Sequence, residues 1–137
     1  MKRNLYNPKV LCISAGLSSK KNPLLEELKT QYDAKVIPGK KYKEKFLDRF
    51  IKKIIFLRRF SKYYINISYL NKTIIEYKEN FDLLFIVKGN FVKYETIKFL
   101  KENNKNLVVV GWSPDDIFLK HNNSKILKKS APYYDFF

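Results

Sequence analysis

The chain has 137 residues, 45% of them hydrophobic, and a formal charge of +15, which sets one domain with enough apolar residues to fill a core. No apolar run reaches the ~18–20 residues of a bilayer span, and the Val10–Ile13 run behind the basic start is too short for a signal-peptide core, so the expectation is a cytoplasmic protein. One cysteine and one histidine, Cys12 and His121, exclude an internal disulfide and a cysteine cluster.

Lys9–Ser14 (KVLCIS) reads as a first strand, with Cys12 a buried thiol among apolar neighbours. The loop Ala15-Gly16-Leu17-Ser18-Ser19 follows, and Gly16 would let a ligand approach the backbone. Neither GxGxxG nor GxxxxGK[ST] is present, so both phosphate-loop signatures are missing. Asn22-Pro23 is a helix start, a capping residue before proline at the first helical position. Leu24, Leu25 and Leu28 form its apolar stripe, and it should end near Tyr32. Ala34–Ile37 is a short second strand closed by Pro38-Gly39.

Tyr42–Phe60 has helical periodicity, with Phe46, Phe50, Ile54 and Leu57 on one side and a basic opposite side. That pattern fits a solvated helix packed on a sheet. Its alternative is a basic amphipathic helix at an anionic membrane surface, which would place the protein peripherally at the inner membrane. Ser61–Glu79 holds a further helix with Ile67, Leu70, Ile74 and Tyr77 in line. Leu83–Val87 (LLFIV) is a third strand, continuously apolar and therefore central, followed by Lys88-Gly89-Asn90. Val92–Asn103 is a helix stopped by Asn103-Asn104.

Leu107–Val110 is the fourth strand. Its pattern breaks at Gly111, and Trp112, a Ser113-Pro114 turn and the carboxylates Asp115 and Asp116 follow. Ser124–Lys129 gives one or two helical turns before Pro132, and Tyr133–Phe137 looks like the entry to a fifth strand. This alternation predicts an α/β fold: a Rossmann-like parallel sheet with helices on both faces. Placing the most apolar strand beside the first gives the order 2-1-3-4.

Ligands of such sheets sit beyond the carboxyl ends of the strands, where chain direction reverses. The predicted crevice is lined by Gly16, Leu17 and Ser18 with Lys88 and Gly89, and Trp112 and Ser113–Asp116 lie beside it. Asp115 or Asp116 could serve as a general base toward a hydroxyl, although Ser-Pro-Asp-Asp is also ordinary turn and capping material. Lys88 could meet a phosphate or an acidic sugar, and Trp112 could stack on a sugar face or cap the core. The positive charge is nearly all lysine, with arginine only at 3, 49, 58 and 59. Specific nucleic-acid recognition favours arginine, so a nucleic-acid partner is the weaker expectation.

Phe81–Gly89 (FDLLFIVKG), Trp112–Asp116 (WSPDD), Asn123-Ser124 and Pro132–Asp135 (PYYD) together resemble the amino-terminal region of CgeB-like, spore-maturation-type glycosyltransferases. The resemblance covers roughly Asn80 to Phe137; before that it rests on element order. It implies a GT-B enzyme, with two Rossmann-like domains facing a cleft and the acceptor held by the amino-terminal one. Residues 1–137 would be that acceptor-side domain, truncated before its last strand. On this expectation the chain carries no cofactor and is inactive alone. The complete enzyme would move a sugar from a nucleotide sugar to a hydroxyl acceptor, with the donor-binding domain supplied in cis or in trans. Asp115 and Asp116 would be the catalytic candidates, and Gly16, Leu17, Ser18, Lys88, Gly89, Trp112 and Ser113 the substrate-binding ones. The rival expectations are a non-catalytic module docking a partner chain and a basic membrane-surface or nucleic-acid binder.

Overall fold

The computed structural model of the protein describes residues 7–14, 23–38, 67–77, 79–116, 119 and 124–137. The predicted Tyr42–Phe60 helix, the Gly16-Leu17-Ser18 loop and His121 lie outside these residues. The strands are β1 (Lys9–Ser14), β2 (Asp33–Pro38), β3 (Leu83–Val87) and β4 (Val108–Trp112). The helices are α1 (Pro23–Gln31), α2 (over 67–76), α3 (Tyr94–Asn103) and α4 (Lys125–Ser130). All strand pairs are parallel and the order is β2-β1-β3-β4, as the sequence predicts.

Each strand has few residues, so each must be anchored at its ends. Asp82 does this for β1: its carboxylate accepts from Lys9 N at 3.0 Å, while its own N–H donates to Lys9 O at 2.9 Å. Asn104 closes α3 and fixes the entry to β3, its side-chain amide donating to Phe81 O at 2.6 Å. Both are short polar side chains satisfying backbone groups that the ladder leaves open.

Successive strand residues point to opposite faces, and β1 is buried on both. Leu11 and Ile13 join Leu84, Ile86 and Val109 under Leu70 and Ile74 of α2 and Ile97 of α3. Cys12 faces the other way and packs with Val87 and Leu25 of α1. A strand covered by helices on both sides needs apolar residues throughout, which is why KVLCIS and LLFIV lack alternation. Burial pushes the Cys12 thiol up to about 12, so it stays protonated and inert, as its setting in the sequence suggests.

Beyond single-residue shifts, two boundaries depart from expectation. The fourth strand does not break at Gly111 but runs on through Trp112, with Gly111 in register with Ile86. The rings of Tyr134 and Phe137 occupy the place a Cβ at Gly111 would take, so glycine here permits close crossing of the strand. Helix α3 begins at Tyr94, two residues later than the periodicity suggests, because Val92 is buried in the preceding loop. The segment read as the entry to a fifth strand forms a single parallel bridge between Phe136 and Val110.

Two polar residues hold the second half together. The buried Asn71 of α2 donates to Ile67 O at 2.7 Å and Phe91 O at 2.8 Å. Its oxygen accepts from Lys93 N at 2.9 Å and from the buried Thr96 hydroxyl at 2.7 Å. Asp135 accepts from Val109 N at 2.7 Å and from Lys101 Nζ at 2.8 Å. Burial acts to raise the Asp135 pKa, but the Lys101 ammonium and the Val109 N–H outweigh it, and the net shift is downward.

Asn71→Ala leaves the Lys93 N–H and Thr96 hydroxyl without their acceptor; urea denaturation should show a loss of about 2–4 kcal/mol. For Asp135, a folded pKa below the unfolded value gives stability that is complete above about pH 3.9 and is lost as pH falls through the lower folded value. Asp135→Asn should therefore be less stable than the parent at neutral pH and lose less between pH 4 and pH 2, as read by acid titration of the unfolding midpoint.

Candidate functional site

The parallel sheet brings four carboxyl ends to one edge. Across it, Pro38, Ser14, Val87 and Trp112 stand in one row of register, and in-register residues share a face. Ser14 and Trp112 therefore lie on the α1 face with Val87 between them, ~10 Å apart at the usual strand spacing. The Ser14 hydroxyl is fully buried and finds no hydrogen-bond partner among the described residues. Trp112 is 41% exposed.

Lys88 follows β3 directly. Its N–H donates to Trp112 O at 2.9 Å, adding one rung to the β3–β4 ladder. The backbone then turns left-handed, φ 52° and ψ 72°, and enters a short 3-10 helix over Gly89–Phe91. The ammonium of Lys88 pairs with Asp115 Oδ2 at 2.6 Å. Asp115 is itself set by a local turn, in which Ser113 Oγ donates to Asp115 O at 3.0 Å and accepts from Asp115 N at 3.3 Å. The loop after β4 thus presents a carboxylate to the residue after β3. Both side chains remain reachable, 27% exposed for Lys88 and 43% for Asp115.

The structure brings Lys88, Trp112, Ser113 and Asp115 to one edge. Asp116 is exposed further along the loop, its carbonyl accepting from Leu119 N at 3.4 Å. Gly16, Leu17 and Ser18 fall outside the described residues. Gly89 does not line an opening: it is buried, and a Cβ there would lie 2.5 Å from the Tyr134 hydroxyl and 2.9 Å from Leu127 Cδ1. Its role is to let α4 and the segment behind it approach β3. Concavities among the described residues lie elsewhere. One is a small apolar gap in the core bounded by Leu11, Ile74 and Leu107, and another is an open groove between Lys93–Glu95 and Ile126 and Lys129.

No protein-family model, curated protein or solved structure matches the chain. The site therefore rests on its own chemistry. Among the described residues no group of three or more His, Cys, Asp or Glu side chains could hold a metal ion, and no helix is long and apolar enough to cross a membrane.

Several residues of the quoted motifs serve as structural ties. Ser124 caps α4, accepting from Leu127 N at 3.1 Å, and its own N–H donates to Asn90 Oδ1 at 3.3 Å. Tyr134 fills the space beside Gly89 and Gly111, and Asp135 locks onto β4. Together they brace the backbone beneath Lys88. Periodicity does not register such contacts. The one signal was the density of Asn, Ser, Tyr and Asp next to strand ends, where capping groups gather. Gly89→Ala should force Tyr134 and Leu127 aside and lower stability by about 1–3 kcal/mol in thermal or urea unfolding.

Proposed function

We propose that this domain is the acceptor-side half of a GT-B glycosyltransferase, presenting the carboxyl edge of β3 and β4 to a sugar-bearing substrate. The observation that carries the reading is the Lys88–Asp115 pair, a cation and a carboxylate set by successive strand ends beside the β1–β3 reversal. Ligands of open parallel sheets bind at such a reversal. The sheet order and the resemblance of the strand-end segments to CgeB-like transferases add support. In this reading Asp115 takes the proton of an acceptor hydroxyl, Lys88 offsets the charge that forms, and Trp112 offers an aromatic face to a sugar ring. Asp116 stands in reserve as a second acceptor contact. The reading requires a nucleotide-sugar-binding half, in cis or in trans.

The test is nucleotide-sugar turnover by the longest natural reading frame that contains these residues. Asp115→Asn should lower turnover on the order of a hundredfold or more with little change in the unfolding midpoint, and Asp116→Ala should lower turnover more than stability. Parallel losses of turnover and stability in both variants would leave Ser113–Asp116 as turn and capping residues only.

A second reading has one observation of its own. Phe136 bridges to Val110 at the β4 edge, and Phe136 and Phe137 are exposed. A strand edge flanked by exposed aromatics fits a module that docks another chain. Concentration-dependent association of the wild-type chain that a Phe136→Ser variant abolishes would favour docking over transfer.

A further inference from the structure

Among the described residues Lys88 is the one non-glycine residue with positive φ. Lysine gains nothing from that conformation, which glycine adopts freely. The backbone does not require a side chain there either. The N–H bond to Trp112 O and the carbonyl's bond from Asn90 N, 2.7 Å, would both form with glycine at position 88. The ion pair with Asp115 is a weak reason for the strain, since a partly exposed pair contributes no more than such a conformation costs. What the left-handed turn does achieve is placement. It holds a primary ammonium at the strand end, beside the exposed Trp112, partly open to solvent and paired among the described residues with Asp115, which takes one of its three donors.

We propose that Lys88 is a dedicated anchor for an anionic group, a phosphate or a carboxylate, on the ligand bound at this edge. Asp115 occupies the ammonium in the free protein and is displaced when the anion arrives. Displacement then frees the Asp115 carboxylate to face the ligand. This inference rests on the reading of the edge as a ligand site, and it narrows the ligand to one carrying negative charge. The overall charge of +15 raises the local concentration of such a ligand but does not select where it lands.

The experiment is calorimetric titration of the full chain at 150 mM salt, which screens the general surface charge to about 8 Å. Pyrophosphate and glucuronate are the two probes, one for each source of the anion. One or both should bind. Lys88→Gly should weaken that binding tenfold or more while unfolding at the same temperature as the parent or higher, because the strain is removed. Lys88→Arg should retain the binding. Asp115→Asn should tighten it several-fold, because the internal competitor is gone. A pair that merely ties two loops gives the opposite pattern: Lys88→Gly and Asp115→Asn lower the unfolding temperature alike and leave the titrations unchanged. That pattern, or no binding of either probe, overturns the proposal. Anion binding that depends on Lys88, with no sugar transfer by the longest natural reading frame that contains these residues, would sink the transferase reading and leave this one standing.

Discussion

Strand β1 is the constraint on which the rest depends. Val10 to Ser14 are essentially removed from solvent, so their backbone groups must bond to neighbouring strands on both sides. Strands β2 and β3 supply those bonds in parallel register. Parallel neighbours need crossovers, and the crossovers become the helices that bury the two faces. The chain therefore leaves β1 in one direction to build β2 and returns past it to build β3. The reversal in strand order, and the divergence of loops at the carboxyl edge, follow from the burial of one short apolar segment.

Lys88 and the Ser113–Asp116 loop meet because β3 and β4 are neighbours whose last residues, Val87 and Trp112, are directly in register. On the far side of the same strands, Tyr134 packs over Gly89 and Gly111, and Asp135 accepts from Val109 N. Lys88 and Asp115 thus stand on a braced backbone, the arrangement in which a strained conformation persists.

Much of this was legible in the residues. The apolar run LLFIV, central by its continuous apolar character and placed beside the first strand KVLCIS, gave the sheet order, and the helical lines Ile67-Leu70-Ile74 and Ile97-Leu100 gave the crossovers. Gly111 misled because a glycine beside a turn looks like a strand end; only the rings of Tyr134 and Phe137 explain its place inside the strand. Val92 looked like the first turn of α3, since burial in a loop and burial on a helix leave the same mark in a sequence. The Lys88–Asp115 contact depends on a positive φ that no pattern encodes, and Asp115 was legible as a candidate without its partner. Gly89 was read by position alone, and packing decided its role.

Asn71 has a consequence beyond stability. With Lys72 and Thr73 it forms an Asn-x-Thr acceptor triplet, and both hydrogens of its amide nitrogen are used inside the fold. A glycan attached there during translocation would remove one of those hydrogens and set a bulky polar group between α2 and the start of α3. A chain routed through a glycosylating compartment before folding would lose the joint that aligns the second half of the sheet. The same asparagine that completes the domain in one compartment would prevent it from forming in another.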